Sequence, residues 1–125
     1  MPLNPGQVII VDDDAAVRNA LQFALEVEGL AVRAYQGGAE LLAATDLPAK
    51  GCLVVDYYMP AMNGIDLIRR LRARRVDLPA ILITSNATDD MRRRAAHAGI
   101  HRILEKPLED SSLVDSIRGA LDAGA

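Results

Sequence analysis

A single cysteine, Cys52, leaves this chain no internal disulfide. It has no Cys or His companion at zinc-ligand spacing, which excludes a thiolate metal site as well. No apolar run approaches the roughly 20 residues that a bilayer crossing needs, so no membrane contact is expected. The opening residues, Met1 to Gly6, carry neither a basic segment nor an apolar one. No secretory leader is read there, and a cytoplasmic setting is expected. Gly and Pro, 9 and 6 of 125 residues, are in ordinary use, which argues against a disordered or collagen-like polymer. Lysine is scarce: of 14 cations only Lys50 and Lys106 are not arginine. The formal net charge is −3 and the pI about 5.3, whereas a nucleic-acid binder more often carries a basic surface. No direct nucleic-acid contact is expected.

What is present is a core-forming chain, 50% hydrophobic and 25% charged, long enough for one domain spanning 1–125. Short apolar runs alternate with longer segments of helical period. Gln7 to Val11 and Cys52 to Val55 are continuous apolar runs of the kind buried on both faces of a sheet. Leu30 to Tyr35 alternates with period two, as a strand nearer an edge does. Ala80 to Ile83, after Pro79, and Arg102 to Glu105 read as the fourth and fifth strands. Between them lie five helical segments. The first runs from Asp14, as N-cap, to Glu28 and is closed by Gly29, with Val17, Ala20, Leu21 and Ala24 as its expected apolar face. The second is Ala39 to Thr45, and the third is Gly64 to Arg75 with Ile65, Ile68 and Leu71 facing inward. The fourth, Thr88 to Ala98, carries Met91, Ala95 and Ala98 and ends at Gly99; the fifth, Ser111 to Leu121, carries Leu113, Ile117 and Leu121.

Five β–α pairs in succession require right-handed crossovers and a parallel sheet. The expected fold is α/β, a three-layer doubly wound (βα)5 sandwich with flavodoxin-like strand order 2-1-3-4-5. The arginines gather at Arg69, Arg70, Arg72, Arg74 and Arg75 and again at Arg92, Arg93 and Arg94. Solvated helix faces and a partner-facing patch both fit that clustering.

In such sheets ligands bind beyond the carboxyl ends of the strands, so the residues directly after each apolar run are informative. They are Asp12, Asp13 and Asp14, then Asp56, then Thr84 and Ser85, then Lys106 and Pro107. Four separated segments deliver acids, a hydroxyl and an ammonium to one edge. Asp14 suits a helix cap, but adjacent acids repel one another unless a cation is present. Oxygen-only donors with room for water favour Mg²⁺, held by Asp12, Asp13 and Asp56. A carboxylate nucleophile beside a metal, a cation and a hydroxyl suits phosphoryl transfer. No P-loop is present, and His97 and His101 stand away from the strand ends.

These residues resemble the response-regulator receiver domains of two-component systems over nearly the whole chain, Val8 to Leu121. The resemblance rests on Val-Asp-Asp-Asp at 11–14, Asp-Tyr-Tyr-Met-Pro-Ala-Met-Asn-Gly at 56–64, Ile-Thr-Ser at 83–85 and Glu-Lys-Pro at 105–107, taken in order. The first and last of these also resemble receivers of FixJ-type transcriptional regulators. The resemblance implies that Asp56 accepts a phosphoryl group from a sensor histidine kinase or phosphotransfer protein. It implies that Mg²⁺ is bound by Asp12, Asp13, Asp56 and the backbone carbonyl of Tyr58. It further implies that Lys106 pairs with the phosphoryl group before an often-cis bond to Pro107, and that Thr84 swings to a phosphoryl oxygen. Gly64 would serve a turn where a Cβ is unwelcome. Such a protein catalyses its own phosphorylation and dephosphorylation but is not a turnover enzyme. A partner surface, and a homodimer, would form through helix 4, strand 5 and helix 5, which carry Arg92, Arg93, Arg94 and Arg118.

Departures from the family's pattern are specific. Ile103 stands where Tyr or Phe is usual, so a ring-flip relay from Thr84 is in doubt; Ser85 replaces Ala or Gly, and Leu108 a Phe. Tyr58 and Asn86 hold positions that in the family they resemble tune hydrolysis of the aspartyl phosphate, and the bulk of Tyr58 points to shielding from water. Two other readings compete. A receiver-like interaction module that is never phosphorylated would usually lose one of the acids, the Thr or the Lys, and all are retained. A haloacid-dehalogenase-type phosphatase would use Asp12 as nucleophile, but Ala16 and Thr84-Ser85-Asn86 depart from that family's motifs. No output module follows Ala125, so a stand-alone receiver and a fragment of a longer regulator are both compatible with the chain.

Overall fold

The computed structural model describes residues 6–108 and 111–123. The opening stretch 1–5, part of the segment read as leaderless, lies outside them. The element order is β1 (Gln7–Val11), α1 (Ala15–Val27), β2 (Ala31–Tyr35), α2 (Gly38–Ala43), β3 (Gly51–Asp56), α3 (Gly64–Ala73), β4 (Ala80–Thr84), α4 (Asp89–His97), β5 (Arg102–Glu105) and α5 (Ser112–Ala123). All four strand pairings are parallel, in the order β2-β1-β3-β4-β5. The doubly wound architecture expected from the sequence is therefore observed, with β2 on one edge. No described helix is long and apolar enough to cross a membrane.

The period of two in a strand sends alternate side chains to opposite faces. Ile9, Val11, Leu53, Val55 and Leu82 join Ile65, Ile68 and Leu71 of α3 and Met91 and Ala95 of α4 in one buried cluster. Val8, Ile10, Val54, Ile81 and Ile83 join Leu25 of α1 and Leu113, Ile117 and Leu121 of α5 in the other. Cys52 is buried in this second layer, and desolvation pushes its thiol up to about 12, so it serves as a small apolar side chain.

The expected face of α1 needs correction. Leu25 is its buried residue, with Leu21 packed against the same cluster, whereas Ala20 and Ala24 are exposed. The helix docks on the i, i+4 row of Leu21 and Leu25, since two alanines offer little area to bury beside two leucines. The opposite consequence is an outward apolar face: Phe23 is 70% and Val27 67% exposed. The second helix also begins one residue earlier and ends two residues sooner than expected.

The helices share a construction. At their starts Asp14, Asn63 and Thr88 cap α1, α3 and α4, each side-chain oxygen accepting from backbone N–H groups of the first turn. At their ends the same three helices close in one pattern of paired backbone bonds. Leu30 N–H donates to Leu25 O and Gly29 N–H to Glu26 O after α1; Ile100 to Ala95 and Gly99 to Ala96 after α4. After α3 the donors are Val76, to Leu71, and Arg75, to Arg72. This is the Schellman motif, which needs a left-handed residue just past the helix. Gly29 (φ 87°) and Gly99 (φ 74°) adopt it without a side-chain penalty, but α3 uses Arg75 at φ 63°.

Candidate functional site

The carboxyl ends of β1, β3, β4 and β5 meet at one edge of the sheet. Register explains the convergence: Val11 pairs with Val55, Asp56 with Ile83, and Thr84 with Glu105, so the next residues emerge side by side. Backbone bonds extend the ladder past the strands, from Tyr57 N–H to Ile83 O (2.8 Å) and from Lys106 N–H to Thr84 O (2.9 Å). The Lys106–Pro107 peptide is cis.

Asp12, Asp13 and Asp56 each place a carboxylate oxygen within 4.8 Å of the others. Asp12 and Asp56 are buried, whereas Asp13 is exposed. The Asp12 carboxylate accepts from the Asp14 N–H at 2.9 Å, and the Arg18 guanidinium donates to the Asp12 carbonyl at 2.8 Å. Asp56 Oδ1 is buried without a hydrogen-bond partner, and the Lys106 ammonium pairs with it at 3.5 Å. Burial pushes the Asp56 carboxyl above the ordinary range and the charge of Asp12 reinforces this, against the opposing pull of Lys106. Asp12 is raised as well, first by burial, while its bond from Asp14 and the Lys106 charge hold it back.

Three converging carboxylates, two of them costly to ionise where they stand, fit a hard divalent cation bound through oxygen. An unsatisfied buried carboxylate oxygen fits the same demand. These observations meet the donor chemistry of Mg²⁺ and involve Asp12, Asp13 and Asp56 together.

Thr84 is fully buried at the end of β4, and its hydroxyl both donates to Asn86 O and accepts from Asn86 N–H at 3.3 Å. Tyr58 is 53% exposed, its ring edge-on to that of Tyr57 with centroids 4.8 Å apart. Gly64 opens α3 against the back of the site. A Cβ there would lie 2.7 Å from the Asp56 carbonyl oxygen and 2.7 Å from Leu82 Cδ1. The requirement for glycine is thus close approach, with no positive φ involved. Ile103 is partly buried against the α3/α4 layer. His97 and His101 are both exposed, away from this edge. Sequence reasoning missed Arg18, whose tether to the Asp12 carbonyl had no readable signal beyond its place on the first helix.

The comparisons with known proteins agree with this geometry. The family model described as "Response regulator receiver domain" matches residues 8–118. The chain is similar to the transcriptional regulatory protein FixJ of Azorhizobium caulinodans, at 35% identity over 94% of this chain and 56% of that protein. It is 36% identical to the C4-dicarboxylate transport transcriptional regulatory protein DctD of Pseudomonas aeruginosa, over 93% of this chain and 25% of that one. The chain therefore spans about half, or a quarter, of the length of these relatives. Among solved structures it is similar to FixJ-N, with a TM-score of 0.87, 36% identity and 96% of each chain covered. A CheY-like receiver domain protein from Methanospirillum hungatei superposes with a TM-score of 0.85 at 25% identity, over 95% of each chain. On the family model and these relatives, the chain belongs to the response regulator receiver domain family.

Proposed function

We propose that the protein is a phospho-accepting receiver of a two-component system, a single domain over 1–125, in which Asp56 takes a phosphoryl group from the phosphohistidine of a cytoplasmic sensor histidine kinase or phosphotransfer protein. The Asp56 carboxylate forms the new O–P bond as the P–N bond breaks, and the electron pair returns to the imidazole nitrogen. Asp12, Asp13 and Asp56, with the Tyr58 carbonyl, would hold Mg²⁺, which supplies charge neutralisation at the phosphoryl oxygens. Lys106 supplies a second positive charge on the same side of Asp56. Thr84 would exchange its bonds with Asn86 for one to a phosphoryl oxygen, drawing the β4–α4 loop with it. The protein is thereby a regulatory phosphoacceptor and not a turnover enzyme.

One observation carries this reading: Asp56 presents a buried oxygen that no hydrogen bond occupies, beside an ammonium, and its carboxylate converges with two others. The output surface, and a homodimer, would use α4, β5 and α5, where Arg92 pairs with Glu105 at 3.6 Å.

The test is labelling of the purified protein by acetyl phosphate with and without Mg²⁺. Stoichiometric, Mg²⁺-dependent labelling that disappears in Asp56→Asn is expected. No labelling at all would leave a receiver-like interaction module. Steady ester hydrolysis that needs Asp12 but survives Asp56→Asn would indicate a phosphatase of the haloacid-dehalogenase type.

A further inference from the structure

Away from the Asp56 edge, α3 and α4 flank an open hollow of about 320 Å³ lined by Arg69, Asp90, Arg93, Arg94 and His97. The α4 members recur at i, i+3, i+4 and i+7 and so form one face of that helix, while Arg69 comes from α3. Arg93 and Arg94 share a single carboxylate, Asp90, at 3.3 and 3.8 Å. The Arg69 side chain makes no hydrogen bond or ion pair among the described residues. Below the hollow Arg72 donates to Val76 O at 2.8 Å and to Gly99 O at 3.2 Å, which laces the end of α3 to the end of α4. Three guanidiniums thus face one carboxylate in a chain whose formal charge is −3.

The composition of the lining decides what it fits. The centre of a protein–protein interface is depleted of charge, whereas every residue around this hollow is charged or an imidazole. Duplex nucleic acid is met by an extended basic surface, and the remainder of this molecule is acidic. Guanidinium forks match the oxygens of phosphate groups, and several forks around a space of this size match several linked phosphates. Asp90 then acts as an internal competitor, holding the two α4 arginines until a stronger anion replaces it.

We propose that the α3–α4 hollow binds a small oligophosphate, free or carried on a nucleoside, through Arg69, Arg93 and Arg94. This site does not depend on phosphorylation of Asp56. The experiment is calorimetric titration of the full chain with inorganic tripolyphosphate in EDTA, so that no metal carries the anion to Asp56, with adenosine triphosphate titrated in parallel. Saturable binding at one site is expected, weakened about tenfold or more in Arg69→Gln/Arg93→Gln. It should tighten in Asp90→Asn and stay unchanged in Glu40→Gln, which removes the same charge on α2. Tighter binding of the nucleotide assigns the nucleoside-borne form, and equal binding the free phosphates. Unaltered melting temperatures of the exposed-residue variants without ligand show that the fold is intact. Absence of saturable binding at millimolar tripolyphosphate overturns the proposal. So does an equal loss in Lys106→Gln, tightening in Glu40→Gln to match Asp90→Asn, or stronger binding of a short DNA duplex or a polyglutamate peptide.

Discussion

The Lys106 ammonium stands 3.5 Å from Asp56 Oδ1, an oxygen that nothing hydrogen-bonds. The pair is unequal: the Asp56 side chain is 8% exposed and that of Lys106 35%. Lysine reaches water far more freely than aspartate. The carboxyl therefore carries the desolvation cost, and its proton affinity is raised in the fold.

A pH dependence follows from that sign. A carboxyl raised above its unfolded value holds its proton more tightly in the native state, so it imposes no penalty below the unfolded value. The penalty grows as pH rises and is complete above the folded value. In EDTA, Asp56→Asn should therefore be more stable than the parent at pH 7.5, read as a higher urea midpoint. The gap should close as pH falls through the raised value toward the ordinary carboxylate range. Urea midpoints at a series of pH values measure it, and a gap that widens toward low pH would reverse the assignment.

Metal binding should relieve the same cost. Mg²⁺ at ~100 times its dissociation constant adds about 2.7 kcal/mol, on the order of 10 °C in Tm for a domain of this size. Asp13 is exposed, so Asp13→Asn should fold normally and lose most of that increment. A full Mg²⁺-induced rise in this variant would remove Asp13 from the donor set.

Gly64→Ala tests the close packing behind Asp56. The added methyl meets a backbone oxygen at 2.7 Å, which cannot rotate away, and Leu82 at the same distance. A loss of about 2–3 kcal/mol is expected, read as a lower denaturant midpoint at unchanged slope.

Arg75→Gly should act in the opposite direction. The residue holds the left-handed position that Gly29 and Gly99 occupy after the other two helices. Removing the Cβ strain, less the extra entropy of an unfolded glycine, leaves a gain of about 0.5–1 kcal/mol in chemical denaturation.

Tyr58 is a kinetic matter. Its ring, edge-on to that of Tyr57, is expected from its bulk to shield a phosphoryl group on Asp56 from water. Tyr58→Ala should then dephosphorylate about three to ten times faster, which corresponds to ~0.7–1.4 kcal/mol in the barrier. An unchanged rate of phosphate release would count against shielding.

Much of this was legible in the residues themselves. Arg102–Glu105 is a strand with the expected bounds, because the six residues between the glycine that closes α4 and Lys-Pro leave few alternatives. Asp12, Asp13, Asp56, Thr84 and Lys106 could be grouped in advance because a parallel sheet carries every strand end to one edge. The orientation of α1 was not legible: alanine and leucine score alike in a periodic pattern, and only docking on the sheet distinguishes their buried areas. Nor was the left-handed Arg75, which lacks the glycine that marks such positions elsewhere. In the sequence the α3–α4 hollow shows only as arginine clusters, since joining Arg69 to Arg93 requires the crossover that brings their helices together.

The Schellman closures of α1, α3 and α4 all lie at the end of the molecule opposite Asp56, where Arg72 adds its lacing to Gly99. The starts of these helices, in contrast, hang on single side-chain caps a few residues from Asp12, Asp56 and Thr84. This makes each helix a lever with its fulcrum far from the chemistry. For α4, nine residues and about 13 Å long, a 1 Å displacement at Thr88 pivots the rod by roughly 4° about Gly99. A swing of that kind needs no ring to flip, which is the freedom that Ile103 leaves it.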